Sequence, residues 1–384
     1  MNTSTHRKIS SSSSPSSERS SWSNQNQHLF DATVRYGVRI AQLEGAFELL
    51  ARGIVRDLRT AVMAAYDLNS FLLGNDYQRF AAVIQGVVYQ QITGAWPRLW
   101  PILEDGHNRA AALATRYISK ALLSGREDEY DSAQDATEEF PERLEDITEL
   151  GALLTVLSSI QSRRRVLLVV VNGLTLPQFW ESLAQNAARR FGTTVSAMAS
   201  DAQITGNSSG LRDSILNMLS DRPSKPTRFA QLSGQSDTSI LASIKKYLGS
   251  MVHAIGNDAM QAVSEINQSA FVGEVHTSIL DDVTCPVCRS LNGTFYPYEN
   301  GVSTARSLPI HFMCRCKYTP VTSREQESNG VTFGEWFSEQ DGRFKSSVFS
   351  SDVSSAKTFP DARKMSPIIA QTIPSLRQSS WMSL

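Results

Sequence analysis

A chain of 384 residues is long enough for two domains with their own cores or for one large one. Its 41% apolar and 20% charged residues are globular proportions, and a formal net charge of -1 supplies no general field for nucleic acid or membrane, so any DNA contact has to be local. No apolar run approaches the roughly 20 residues of a bilayer span, and the opening MNTSTHRKISSSSS lacks the apolar core of a secretory signal, which points to a soluble protein made in cytoplasm.

Residues 1–28 are dominated by Ser, Asn and Gln and bury too little apolar surface to offset ordering entropy, so a disordered arm is expected. A helical region follows over 29–140. Val34, Val38, Ile40, Leu43, Phe47, Leu50 and Ile54 recur at helical spacing, and Leu58, Val62 and Tyr66 continue that face. Phe80, Val83, Ile84, Val87 and Val88 begin a second helix ended by Gly94 and Pro97, after which Trp96, Leu99 and Trp100 read as a loop anchored in the core. Residues 126–150 are acidic and read as a solvated linker with a helix from about Pro141, or as a docking strip for a basic partner surface; Phe140 and Pro141 mark a boundary.

The next region, 141–238, is helical with a long loop. SRRRVLLVVV fits a helix or a strand, and Arg163, Arg164 and Arg165 read as a helix terminus or solvated face rather than a DNA contact. Thr175 and Gln178 have capping-box spacing, opening a helix that carries Phe179, Leu183, Ala187 and Phe191 inward. Residues 201–238 read as a long connection around one short helix near 211–219. A last region, 239–348, opens with a helix striped by Ile240, Ile244, Leu248, Met251 and Ile255 and running on to Ile266. From Val275 the pattern turns to short β-prone runs, with a strand at Thr294-Phe295-Tyr296 between turns at Asn292-Gly293 and Asn300-Gly301. The tail, 349–384, reads as extended or disordered. The expected class is α+β: a mainly helical N-terminal region, a small α+β C-terminal domain and flexible Ser-rich arms at both ends.

All four cysteines fall between positions 285 and 316. In a reducing compartment such a cluster reads as a metal site more readily than as disulfides. Cys285 and Cys288 form a C-x2-C knuckle, while His311, Cys314 and Cys316 offer three donors for two remaining places. Soft ligands without a redox task favour a structural Zn2+, with free thiols around a core histidine, or disulfides formed after lysis, as the competing readings. A catalytic zinc is disfavoured: no H-x-E precedes the C-x-x-C, H-E-x-x-H is absent, and Asp281 and Asp282 have the place of turn-capping acids. Gly206-Asn207-Ser208-Ser209-Gly210 satisfies G-x-S-x-G, but no convincing strand precedes it. No catalytic set emerges, and the expectation is a protein that is not an enzyme. Lys245, Lys246, Arg315 and Lys317 are the cations available to a DNA backbone, with surface solvation as the competing role.

LDDVTCPVCRSLNGTFYP followed by LPIHFMCRC resembles the Mu F-like family of phage head-morphogenesis proteins. The resemblance rests on Asp281, Asp282, Thr284, Cys285, Cys288, Leu291, Gly293, Tyr296, Pro309, His311, Cys314, Arg315 and Cys316, and on an aromatic continuation through Phe333, Trp336, Gln340 and Phe344, covering roughly residues 240–348. Phe312 and Met313 depart from the Asn or Pro usual after the histidine, and Gly256-Asn257-Asp258 stands where members commonly carry an Arg-Thr-Glu element. The resemblance implies a minor capsid protein of a tailed bacteriophage, present in several copies in the virion, at the capsid interior or portal vertex. Its implied partners are portal and capsid proteins and packaged DNA, with no membrane, and its implied work is head assembly and genome packaging or ejection. The rivals are a zinc-dependent or toxin-like enzyme carried in the capsid and a zinc-containing DNA-binding factor.

Overall fold

The first helix, α1 (Asn24–Asn69), runs for 46 residues. It carries the stripe from Val34 to Tyr66 as a buried face, on which Leu43, Leu50 and Leu58 have no exposed surface. Each such side chain contributes about 1.5–3 kcal/mol. The structure, a computed structural model, describes residues 24–124, 154, 157–220, 240–280, 284–300, 302–312, 314–323, 332–340, 342, 344 and 345. The arm up to residue 23, the acidic segment with its boundary at Phe140 and Pro141, Asp281, Asp282, Met313 and the tail 349–384 lie outside the described residues.

Helix α1 opens inside the stretch expected as an arm. Leu29 is fully buried, and the Asn26 side chain accepts the Thr322 N–H at 2.9 Å and donates to Ser323 Oγ at 3.0 Å. Those partners lie almost three hundred residues away, so the polar composition of the segment gave no sign of them. Helix α2 (Tyr77–Gly94) is capped by Asp76, whose carboxylate accepts the Arg79 N–H. Helix α3 (Trp96–Ser124) takes in Trp96, Leu99 and Trp100, which were expected in a loop. Pro97 lies in its first turn, where the N–H that proline lacks would have had no helical partner, so it starts the helix rather than breaking it.

Helix α4 (Ser159–Val166) ends in Arg163, Arg164 and Arg165, the expected helix terminus. The apolar run after it splits into a minimal hairpin, β1 (Val170–Val171) and β2 (Leu174–Thr175), turned by Asn172 and Gly173 at φ 53° and 77°. Thr175 caps α5 (Leu176–Thr205), with its N–H on Gln178 Oε1 at 3.0 Å, as its spacing predicted. Helix α6 (Ser208–Met218) is the short helix expected near 211–219, whereas α5 runs on to Thr205 and takes up the start of the expected long connection. Leu211, Ile215 and Leu219 are buried at helical spacing, which outweighs the surrounding Ser, Gly and Asp. Gly206, at φ 71°, is the turn between the two helices, so G-x-S-x-G follows a helix and cannot form a nucleophile elbow.

Helix α7 (Ile240–Ile266) has the predicted bounds. A single core from Leu29 to Phe271 joins α1, α2, α3, α5, α6 and α7, with α5 on α2 and α7 on α1 and α3. The divisions drawn at 140/141 and 238/239 therefore separate no cores. The α1–α7 crossing is close: a Cβ at Gly256 would stand 2.9 Å from two carbons of Ile40. Gly256→Ala is expected to destabilise by about 1–3 kcal/mol through overpacking; an unchanged urea midpoint would show that the helices can move apart freely.

The remaining elements form the α+β part. Strands β3 (Gly273–Thr277), β4 (Phe295–Glu299), β5 (Val302–Ser303) and β6 (Lys317–Val321) make an antiparallel sheet in the order β5-β4-β3-β6, joined by the short α8 (Pro286–Leu291) and followed by α9 (Phe333–Glu339). Glu299 pairs with Val302 across Asn300, whose φ of 51° suits the predicted tight turn. Alternation gives the sheet two faces. One packs Val275, Phe295 and Val321 on Phe30, Val34 and Val38 of α1. Phe333, Trp336 and Phe344 close that layer, and Trp336 Nε1 donates to Asp31 of α1 at 2.7 Å. The other face carries His276, Tyr296 and Tyr318 toward the cysteines.

Candidate metal centre

Each half of the Cys/His motif is built by a local turn. Cys285 caps α8, and its sulfur accepts the Cys288 N–H at 3.3 Å, so both thiols of C-x2-C turn to one side. In the second half the Cys314 N–H donates to the His311 carbonyl at 3.1 Å, folding His311 and Cys314 together. Cys316 immediately precedes β6, where Lys317 pairs with Thr277. Between the halves runs the β4–β5 hairpin expected there.

All five candidate residues come together. His311 Nε2 lies 3.0 Å from the Cys285 sulfur and 2.9 Å from that of Cys288, and the sulfurs of Cys288 and Cys314 are 3.7 Å apart. They form two sets, Cys285-Cys288-His311 and Cys288-Cys314-Cys316, within each of which the donor atoms lie no more than 4.8 Å apart, close enough to bind a metal ion. His311 Nδ1 donates to the Phe312 carbonyl at 2.9 Å, which turns Nε2 toward the sulfurs, the orientation a metal-binding imidazole needs. A tetrahedral ion with bonds to sulfur of about 2.3 Å sets its sulfurs about 3.8 Å apart, close to the Cys288–Cys314 separation.

The electrostatics follow from crowding. Burial resists ionisation of Cys285, but the N–H and S–H of Cys288 and the charge of His311 lower its pKa on balance. Hydrogen bonds from Cys288 and Cys316 hold the Cys314 thiol far below the usual range and in return push Cys288 up. Cys316 gains from a bond with Cys288, but its bond with Cys314 and its burial push it up to about 12. Sulfurs packed this closely cannot all ionise unless a cation stands among them.

Phe312, one of the departures from the family pattern, ties this loop to the helices: its ring lies 6.0 Å from that of Phe179 on α5 and 5.1 Å from that of Tyr247 on α7. The other departure is also structural. Asn257 accepts from Lys317 Nζ at 2.6 Å, and Asp258 accepts from His107 and Arg165. Lys317 is thus buried in the α1–α7 seam and has neither the solvated nor the phosphate-binding role considered for it. Lys245 pairs with Glu48, and Lys246 is exposed.

Sequence reasoning missed one constellation with the look of chemistry. Ser162 Oγ lies 2.5 Å from His107 Nδ1, and His107 Nε2 lies 2.9 Å from Asp258 Oδ2. Serine and histidine are both fully buried, so no substrate reaches them; the set ties α3, α4 and α7 together. Its members are scattered from position 107 to 258, without a shared motif.

A second missed group lies on β3. Burial and the nearby charge of Glu265 raise Glu274 to about 7, against its hydrogen bonds with Ser303, Gln261 and Tyr298. Burial lowers His276, at the other end of the same sheet face, to about 4. The signs oppose. A raised carboxyl holds its proton longer in the fold, so its contribution declines as pH rises from 4.5 to about 7; a depressed imidazole makes stability decline as pH falls from 6.5 to about 4. Glu274→Gln is therefore expected to stabilise by up to about 3 kcal/mol at pH 8 and to expose the His276 slope in acid. Equal denaturation midpoints for variant and parent from pH 5 to 8 would refute this.

No protein-family profile, no curated protein and no solved structure matches the chain.

Proposed function

We propose that this chain is a minor capsid protein of a tailed bacteriophage, of the Mu F-like head-morphogenesis type, bridging portal and capsid and serving head assembly and genome packaging or ejection. The observation that carries the reading is the convergence of its motif: C-x2-C and H-x2-C-x-C meet in one cluster, and the aromatic continuation closes the opposite face of the same sheet. The residues that suggest the family therefore lie on the two faces of one sheet. Zn2+ is the ion we assign, since thiolates with one imidazole and no redox task favour it. Its role is structural, because Cys288, Cys314 and Cys316 are buried. The chain is read as non-enzymatic, the nucleophile–histidine–carboxylate set of Ser162, His107 and Asp258 among the described residues being sealed. The DNA-binding rival loses Lys317 from its basic face.

Quantitative mass spectrometry of purified particles of the phage encoding the chain tests the reading. A copy number well below that of the major capsid protein is expected. Absence from mature particles would overturn the virion role.

A further inference from the structure

Three arginines in a row close α4, and the helix divides them. Arg165 turns inward to Asp258 and Glu265, on the side of the buried Ser162 and Val166. Arg163 and Arg164 are exposed, and neither forms an ion pair among the described residues. The rest of that outer face is apolar. Ile160, Leu167 and Leu168 are 65%, 59% and 76% exposed. Leu167 keeps helical backbone angles and the Leu168 N–H returns to the Arg165 carbonyl, so the turn runs on past Val166. Ile160, Arg163, Arg164, Leu167 and Leu168 therefore take positions i, i+3, i+4, i+7 and i+8, a single stripe of helix surface. Three large aliphatic side chains gathered on so short a face mark a surface that another element covers. Two guanidinium groups among them, with no carboxylate, select an acidic one.

We propose that this face is the docking site of residues 138–150 of the same chain. Two observations name that occupant. The first is complementarity. Residues 138–150 carry six acids against one arginine, and Phe140, Leu144 and Ile147 recur among them at i, i+4 and i+7. An apolar stripe rimmed by carboxylates is the counterpart of an apolar stripe studded with arginines, in the manner of an amphipathic segment laid on a groove.

The second is connection. The described chain stops at Ser124, where α3 ends, and resumes at Leu154, which is buried with Leu157 in the main core. Residues 138–150 are thus leashed just ahead of a fixed point. Only residues 151–158 separate them from the start of α4 at Ser159, within the roughly 2–8 residues that join neighbouring helices in bundles. So short a leash presents the segment to the α4 face at an effective concentration on the order of mM, far above that of a second copy in dilute solution. The docked segment neutralises Arg163 and Arg164 and leaves α4 no cationic face for nucleic acid. None of this depends on the metal centre or on the capsid role.

Hydrogen exchange of the full-length chain, read by mass spectrometry at low salt, tests the assignment. Two double variants stand beside the parent: Arg163→Glu with Arg164→Glu, and Leu167→Asp with Leu168→Asp. All four side chains are exposed, so α1 and α7 should keep the parent's protection in both. In the parent, amides 140–150 should exchange at least about tenfold more slowly than in an unstructured chain. That protection should be independent of protein concentration and should weaken as salt is added. Both double variants should exchange there at the unstructured rate. Unprotected amides in the parent, or protection that both variants retain, would overturn the docking. Protection that rises with protein concentration, with a dimer in light scattering, would overturn the same-chain occupant in favour of a second copy. Should a variant lose protection in α1 or α7, Arg163→Gln with Arg164→Gln decides: it removes only the charges and must still speed exchange at 140–150.

Discussion

On the zinc reading, stripping the metal from the purified chain should unfold the layer formed by α8, the β4–β5 hairpin and the His311 loop, and lower the calorimetric transition of the C-terminal part by far more than any single core substitution. The magnitude follows from what else holds this layer. Its cluster of buried side chains is Cys288, Leu308, Cys314, Cys316 and Tyr318, with a few half-buried neighbours. At about 1.5–3 kcal/mol for a large apolar side chain, so small a set cannot offset the roughly 1–2 kcal/mol per residue needed to order the backbone between positions 284 and 316. A closed zinc site supplies on the order of 10 kcal/mol of apparent binding energy, which becomes folding energy when the site does not exist in the unfolded chain. Cys285→Ser and Cys288→Ser should reproduce the effect of a chelator, Cys288→Ser the more strongly because Cys288 belongs to both ligand sets. Calorimetry with and without chelator, alongside elemental analysis, decides it. A transition unmoved after the metal is shown to be gone would mean that hydrogen bonds and the α1 face carry the layer alone.

The helices were legible because their apolar residues repeat every three or four positions over long stretches. Ile240 to Ile266 needed nothing from elsewhere in the chain to be read correctly. Errors fell where the deciding partner is far away in sequence. Asn26 looked like part of a polar arm because its partners are Thr322 and Ser323. Trp96 and Trp100 looked like a loop because Pro97 was taken as a helix stop, when a proline in a first turn is a start. The β1–β2 hairpin was hidden in an apolar run, although Asn172-Gly173 was the signal for it.

The Cys/His cluster was legible because two short motifs carry it, and motif spacing survives whatever the rest of the fold does. The supporting shell was not. Ser278, whose hydroxyl donates to the Cys288 carbonyl, and Asn292, which accepts the Ser278 N–H, have no spacing rule that links them to a cysteine, and Lys317 looked like a surface cation because nothing in its neighbours tells that α1 and α7 close over it. Buried polar groups are set by tertiary contacts, and a single sequence records those only as ordinary Asn, Ser, Asp and Lys residues.

Asp258 shows the cost of such a contact most clearly, and its replacement is the largest effect expected outside the metal centre. Asp258 accepts Arg165 through both carboxylate oxygens, at 3.0 and 3.1 Å, and His107 at 2.9 Å, while Arg165 reaches on to Glu265 at 2.8 Å. Asp258→Ala leaves Arg165 and His107 without their shared acceptor in the seam between α3, α4 and α7, and should destabilise by about 3 kcal/mol, the low end of the range for one partner removed from a buried pair, because both partners are part-exposed and Arg165 keeps Glu265. Replacing Arg165 by Met together with Asp258 by Leu should cost less than Asp258→Ala alone, because the charge and the acceptor leave together. The pH dependence gives a second reading. Burial resists the Asp258 charge, yet the hydrogen bonds from His107 and Arg165 hold its pKa below the ordinary 3.8. A depressed carboxyl contributes stability that is present above its unfolded value and lost as pH falls through the folded one. The parent should therefore lose this contribution only below about pH 4, and Asp258→Asn should lack that part of the acid limb. The alanine variant unfolding at the parent's urea midpoint would show that water solvates the seam. In that case Asp258 does not hold α3, α4 and α7 together.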